Sequence, residues 1–423
     1  MQAISLFSGC GGLDYGVEAA GFRIVLQTDF DRHSCATLRA NGSQQVLEAE
    51  IANVSITDIK RAVGSKLSSI DLLVGGPPCQ PFSKSGYWVN GDTQRLKDAR
   101  ASTLTEYLRI VEEVRPKAFL LENVQGINYS GKEEGFRFLL TKIAEINSRT
   151  GANYAPSWQV LNAADYGVPQ QRYRFFLVAF RDGTKFRFPD PSHRPEEGET
   201  SMLFGETKFP YTRAWDAIGH LRPAAGEVLG VGGQWGELLP SIPEGHNYLW
   251  HTDRGGGLAL FGWRTRFWCF LLKLAKHLPS WTLQAQPGSA IGPFHWESRR
   301  LSWREMAALQ TFPERFVIAG PRVEIQRQIG NAVPSLLAEV LSRSIASQLG
   351  AAIKADALPM LSVRRMASVP PPEPTNPVPE KYHHLIGQHT AHPGTGKGPA
   401  YSSGKLHRLR TKASDLSPHR LFR

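Results

Sequence analysis

The first 180 residues alternate short apolar runs with stretches of helical periodicity. Ile4-Ser5-Leu6-Phe7 reads as a strand running into glycines. Phe22 to Thr28 reads as a second strand, with a helix from Asp31 to Ala40 after it. Ile70 to Val74 is a short apolar strand that also ends in glycines. Thr103 to Val114 carries apolar residues at helical spacing, Lys117 to Leu121 is the strand that follows, and Tyr173 to Phe180 is another. Strands that alternate with helices predict a parallel α/β sheet.

From about Asp182 to Ser280 the pattern breaks. Glycine and proline become frequent, and the one stretch with the look of a helix is Trp268 to His277. Eight of the ten tryptophans lie between Trp215 and Trp303, which predicts a small, irregular second domain with an aromatic core. Helical spacing returns at Pro334 to Leu349, with Asn331 as a cap and Pro334 near the first turn. Leu336, Leu337, Val340, Leu341 and Ile345 form one apolar stripe there, suited to packing back on the sheet. After about Lys354, Pro370-Pro371-Pro372-Glu373-Pro374 and a Gly/Ser/His-rich remainder predict a chain that buries little. The expected division is 1–188, 189–296, a return segment 297–350 that completes the first domain, and a disordered basic tail 351–423. A chain ending after Leu349 is expected to keep its activity.

With 423 residues, 41% of them hydrophobic, the chain can bury a sizeable core. No apolar run approaches the ~20 residues that cross a bilayer, and Met1-Gln2-Ala3-Ile4-Ser5 lacks a signal-peptide pattern. A cytoplasmic protein is expected. The net charge of +11 suggests an anionic partner. From Lys354 onward, however, 11 Lys/Arg face 4 Asp/Glu, so the body is only mildly basic. Cys10, Cys35, Cys79 and Cys269 form no CxxC pair, which argues against a disulfide framework or a zinc site. The irregularly spaced histidines of the tail suggest no metal site either.

Five blocks carry candidate chemistry. Phe7-Ser8-Gly9-Cys10-Gly11-Gly12-Leu13 is a glycine-rich turn between strand and helix, with Asp29 at the end of the next strand. That spacing suits a ribose-bearing cofactor, and the turn lacks the Gly-Lys-Ser/Thr of a phosphate loop. Gly75-Gly76-Pro77-Pro78-Cys79-Gln80-Pro81-Phe82-Ser83 stiffens the approach to one cysteine at a strand end, where open α/β sheets place their sites. Leu120-Leu121-Glu122-Asn123-Val124 puts a carboxyl at a strand end, fit to hold a proton for a heteroaromatic base. In Gln170-Gln171-Arg172-Tyr173-Arg174 two arginines fall on one face of a strand. The fifth block is Arg300 to Pro313 followed by Gln328-Ile329-Gly330-Asn331-Ala332-Val333-Pro334.

Together, in this order, these blocks resemble the cytosine-5 DNA methyltransferase family from about Ala3 to Leu349. The resemblance implies a doubly wound, Rossmann-like S-adenosylmethionine-dependent methyltransferase domain (1–188 and 297–350). It implies a smaller, irregular target-recognition domain (189–296) facing it across a DNA cleft. Cys79 would attack C6 of a flipped cytosine, Glu122 would support protonation at N3, and Arg172 and Arg174 would hold the base and the Glu122 carboxylate. S-adenosylmethionine would be held by Phe7, Gly9, Gly12, Asp29, Phe30, Ile51, Pro78, Asn331 and Ala332. Glu50 stands where relatives often carry Asp, which weakens the match at the adenine.

Gln80 to Gly86 matches a mobile loop that closes over DNA, with Ser83, Lys84 and Ser85 near phosphates. Thr282-Leu283 resembles a recurrent pair in the recognition domain. Candidates for base readout are Gln234, Arg254, Arg264, Arg266, Gln284 and Gln286. The implied partners are double-stranded DNA and a cognate restriction endonuclease acting on the same site, in a prokaryotic restriction-modification system. A monomer without metal, cytoplasmic and nucleoid-associated through DNA, is expected. Three other readings weigh less: a tRNA-modifying relative, an inactive DNA-binding protein, and an NAD oxidoreductase. The last leaves the Pro-Pro-Cys and Glu-Asn-Val blocks unexplained.

Overall fold

The computed structural model describes residues 1–78, 101–128, 134–196, 208–352 and 358–388. Cys79 and the segment Gln80 to Gly86 lie outside the described residues. A seven-stranded sheet organises the first domain, in the order β3-β2-β1-β4-β5-β8-β6. Strands β1 (Gln2–Leu6), β2 (Arg23–Asp29), β3 (Val46–Glu48), β4 (Leu72–Gly75) and β5 (Ala118–Val124) pair in parallel. Helices α1 (Gly12–Ala19), α2 (Arg32–Ala40), α3 (Ile56–Val63), α4 (Ala101–Val114) and α5 (Glu134–Thr150) lie between and after them.

The sheet is not wholly parallel, as the alternation of strands and helices had suggested. Strand β6 (Ala155–Asn162) and strand β8 (Tyr173–Phe180) pair antiparallel to each other, and β8 pairs antiparallel to β5. The short β7 (Gln170–Gln171) lies in the turn between them. No crossover helix is needed for such a pair. The reversal matters for the site, because it sets Phe176 opposite Glu122 and Arg174 opposite Val124. Glu122 and Arg174 become diagonal neighbours on one face, within reach of long side chains.

The central strands are apolar on both faces, as strands covered on both sides must be. Leu73, Phe119, Leu121 and Leu177 meet Ile110, Val111 and Ile143 of α4 and α5 on one side. Leu72, Val74, Leu120 and Val178 meet Val17, Leu336, Leu337 and Leu341 on the other. The last three belong to α9 (Ser335–Gln348), so the stripe of the return segment closes the second face of the sheet. Before α9 come α7 (Trp303–Leu309), started by a Ser302/Glu305 capping box, and α8 (Arg322–Asn331). Asn331 is the last residue of α8 and is exposed; Pro334, not Asn331, occupies the cap of α9.

Apart from the one-turn helix α6 (Ala214–Ile218), the second lobe is built of turns, 3-10 segments and short bridges among the described residues. Trp268 to His277 forms no helix. Phe270 to Lys276 is buried without a break, which leaves no polar face for a helix, and Phe270 and Lys273 bridge to Ile291 and Phe294. An aromatic core of Tyr248, Phe261, Phe270 and Phe294 fills this lobe, as the tryptophan-rich sequence suggested, with Trp235 and Trp250 at its margin.

Within the stretch 351–423, expected to be a disordered tail, residues 358–388 are packed against the rest of the molecule. Residues 358–388 cross the surface as a strap, and Tyr382 is buried in the aromatic core of the far lobe. The proline run holds an extended path, and apolar side chains on both sides of it find places in cores already formed. No described helix is long and apolar enough to cross a membrane.

Candidate active site

The strand order reverses between β1 and β4, so the chain leaves their carboxyl ends in opposite directions and opens a crevice there. The glycine turn leaves β1 on one side of that crevice, and the Gly75 to Pro78 segment leaves β4 on the other.

On the first side, Phe7 and Gly9 adopt left-handed backbone angles (φ +54° and +55°), which bend the chain sharply after β1. Asp29, at the end of β2, accepts hydrogen bonds from the Gly9 and Asp31 amides at 2.8 and 2.9 Å. Burial raises its carboxyl above the usual range, opposed by those two amides. A side chain at Gly9 would meet open space, whereas one at Gly12 would collide with the Val333 carbonyl at 2.5 Å and Ala332 Cβ at 2.9 Å. The close approach at Gly12 brings Ala332 back to the turn. Phe30 presents a ring that is 64% exposed beside Asp29, and Ile51 is buried.

Open space over a glycine turn, an acid and an uncovered ring fit an adenosyl group. The carboxylate suits ribose hydroxyls, and the ring suits adenine. Asn331 and Glu50 are exposed at the margins.

On the second side, three contacts fix the approach to Cys79. Gly76 leaves room for Glu122: a Cβ there would stand 2.8 Å from the carboxylate Oε2. Asn123 Nδ2 donates to the Pro77 carbonyl at 3.1 Å, and Thr103 Oγ1 donates to the Pro78 carbonyl at 3.0 Å. Pro78 itself is exposed. Burial pushes the thiols of Cys10 and Cys35 up to about 12, so neither supplies a thiolate at neutral pH.

Glu122 is 8% exposed, and Arg174 Nε meets its Oε1 at 3.0 Å. Burial raises the Glu122 carboxyl above its ordinary range, against the pull of Arg174 and Arg172. Neither arginine lies on a solvated edge. Arg172 is fully buried and donates to the Leu283 carbonyl at 3.3 Å and the Gly330 carbonyl at 2.8 Å. It thus ties the site to the second lobe and to the return segment, and its contact with Glu122 is through charge alone.

Two buried glutamines extend this seam. Gln310 donates to the Ile329 carbonyl at 2.8 Å and accepts from Gln170 at 3.2 Å. Leu283 N–H donates to Gln170 Oε1 at 3.2 Å, and Thr282 donates to the Gln171 carbonyl at 2.7 Å. Sequence reasoning singled out Glu122, Arg172 and Arg174, placed Gly76 and Gln310 inside its blocks without a role of their own, and missed Thr103. Asn123, within the Glu-Asn-Val block, carried a signal: an amide beside a buried acid needs partners of its own.

The profile of C-5 cytosine-specific DNA methylases matches residues 1–215 and 278–347, and so includes every contact just described around Glu122. The chain belongs to that family. Such enzymes methylate C5 of cytosine in DNA and take the methyl group from S-adenosylmethionine. The chain is 42% identical to the type II methyltransferase M.SacI of Streptomyces achromogenes over 375 residues, covering 83% of this chain and 94% of that protein. It is 33% identical to M.NgoFVII of Neisseria gonorrhoeae, covering 81% and 86%. A solved structure of a putative DNA modification methyltransferase from an E. coli prophage shares the fold, with a TM-score of 0.58 at 22% identity over 82% of this chain and 99% of that one. In this DNA methylase, the segment from 216 to 277 falls between the matched parts and holds most of the irregular lobe.

Proposed function

We propose that this DNA methylase uses Cys79 as its covalent nucleophile and that Glu122, Arg172 and Arg174 form the pocket for a flipped cytosine. The observation that carries this reading is the buried Glu122–Arg174 pair lying against Gly76, three residues before Cys79. The Asn123 and Thr103 contacts leave the Pro77-Pro78 approach little freedom, which suits a nucleophile that must meet one ring carbon.

The reacting carbon of a stacked cytosine is blocked, so the base must leave the duplex. Cys79 Sγ then bonds to C6. Glu122, whose carboxyl burial raises, shares a proton with N3 and makes the ring a better electrophile. Arg172 Nε is buried and has no acceptor among the described residues, so it is placed to bind the base carbonyl. S-adenosylmethionine, when bound, would supply an electrophilic methyl group for C5. Transfer of the C5 proton to solvent water restores the ring and expels the Cys79 thiolate, a good leaving group. Phe7, Gly9, Gly12, Asp29, Phe30, Ile51, Pro78, Asn331 and Ala332 form the cofactor side.

Residues 189–296 are the target-recognition domain in this reading. The similarity to type II methyltransferases supports a role in protecting DNA from a restriction endonuclease of the same specificity. The protein acts as a monomer in the cytoplasm, on chromosomal DNA. Bisulfite sequencing of DNA from a host that expresses the protein tests the activity and reads out the recognised sequence. Methylated cytosines at one sequence context with the wild type, and none with Cys79→Ser, are expected. A Cys79→Ser variant that methylates as the wild type does would sink the assignment.

A further inference from the structure

The strap, residues 358–388, lies outside the matched family segments and joins the sheet domain to the far lobe. At its start the amides of Met360 and Leu361 donate to the buried Glu339 carboxylate of α9, at 2.6 and 2.9 Å. Midway, Glu373 meets Lys276 at 2.8 Å, and Lys276 also meets Glu244 at 2.9 Å. The Lys276 and Glu244 side chains are each 3% exposed, so the strap supplies a second carboxylate to a buried ammonium. At its end the Tyr382 ring stacks on Trp235, with centroids 5.9 Å apart and planes 13° apart. The Tyr382 hydroxyl donates to the Gln234 carbonyl at 2.7 Å.

Trp235 also packs against Phe261 and Phe270, and the Arg266 guanidinium lies over both rings of the pair Trp235 and Phe270, 5.8 and 5.6 Å from their centroids. The side chains of Gln234 and Arg266 are both exposed. The chain before Trp235 reads Gly230-Val231-Gly232-Gly233-Gln234, and Gly233 sits at φ +82°. Such a run has wide backbone freedom, and holding it in one geometry needs an outside anchor.

We propose that Tyr382 is a positioning residue for DNA recognition: through Trp235 it holds Gln234 and Arg266 where they read the target sequence. This inference rests on the lobe being the DNA-reading part of the molecule. A pre-ordered reading surface binds DNA without first losing that freedom, so the anchor acts on DNA binding and selectivity and not on the chemical step.

The test uses the full-length protein and duplexes that carry the methylated sequence or single mismatches of it. Tyr382→Ala should raise KM for DNA tenfold or more and narrow the preference for the correct site tenfold. Its KM for S-adenosylmethionine should stay within twofold of the wild type. Tyr382→Phe keeps the stack, loses only the hydroxyl bond, and should fall between Tyr382→Ala and the wild type. Tyr382→Leu fills the space without stack or hydroxyl, and serves where Tyr382→Ala does not fold. Wild-type DNA kinetics and selectivity in these variants overturn the proposal. So does an equal loss of kcat and of affinity for both substrates, the mark of a merely structural residue. Gln234→Ala and Arg266→Ala separate the two levels. If they impair DNA use while the Tyr382 variants do not, the anchor is wrong. If neither changes DNA use, the reading role of these residues is wrong.

Discussion

In the sheet domain, aliphatic side chains fill both faces of a regular backbone ladder. In the far lobe, rings and buried charges fill the space between irregular turns. Ile4, Leu73, Leu121 and Leu177 exemplify the first, and Trp235, Tyr248, Phe270 and Tyr382 the second. The ladder sets position by register. Glu122 and Arg174 share a face because β5 and β8 pair in one register, and a slip of β8 by one residue would turn Arg174 to the other face. Among the described residues of the lobe, pairing is limited to two-residue strands and single bridges, so the places of its loops depend on individual side chains such as Tyr382, Lys276 and Glu373. A conservative change near Glu122 should therefore disturb chemistry and leave the fold alone, whereas loss of a few side chains in the lobe should move its surface.

The largest effect expected from this contrast comes from cutting the chain. Ending it after Leu349 removes Tyr382 from the aromatic core and one of the two carboxylates that face Lys276. Loss of the Tyr382 burial alone is worth about 2–3 kcal/mol. The lobe should melt at a lower temperature, and DNA methylation should disappear, while binding of S-adenosylmethionine by the sheet domain persists. This reverses the expectation, drawn from composition, that such a cut is harmless. Ending the chain after Gln388 instead should leave both properties intact. Calorimetry and cofactor titration on the two shortened chains decide it, and equal behaviour of the two would deny the strap its role.

Next in size is Glu122→Gln. The shapes match, so the melting temperature should move little. The amide can donate a hydrogen bond to N3 but cannot transfer a proton to it, and kcat should fall by roughly 10²–10⁴ with cofactor affinity unchanged. A fall of less than tenfold would remove Glu122 from the chemistry.

The two regions also differed in how far the sequence disclosed them. Strands β1, β2, β4 and β5 were readable because apolar runs end in glycine or an acid and helices follow them. Strand β6 was not, since Ser157-Trp158-Gln159 is an edge segment with Trp158 42% exposed, and its polarity resembles a loop. The residues of the site were readable as types and spacings. Their pairing was not, because the antiparallel turn that brings Arg174 to Glu122 has no signature of its own. The lobe was legible only as an aromatic mass. The contact of Tyr382 with Trp235 joins positions far apart in sequence, and no local pattern announces such a pair.

The smallest effect sits under the cofactor turn, where the sheet domain departs from its own rule by burying a charge. Asp14 is 3% exposed, accepts from Ser5 Oγ at 2.5 Å and from Gln27 Nε2 at 2.7 Å, and lies in the first turn of α1, two residues after Gly12. Burial pushes its carboxyl up to about 7 from an ordinary 3.8, although both hydrogen bonds pull the other way. A carboxyl raised on folding favours the folded state most when protonated. Its contribution is complete below about pH 4 and is lost as the pH rises through about 7. Asp14→Asn removes the titration and keeps the shape, since Gln27 and the Ser5 hydroxyl can exchange donor and acceptor roles. Between pH 5 and 7.5 the variant should therefore gain on the wild type by up to about 1.4 kcal/mol per pH unit. Urea unfolding of both proteins across that range measures the difference. A gap that stays constant with pH would mean that Asp14 is ionised throughout, and that the bonds from Ser5 and Gln27 outweigh its burial.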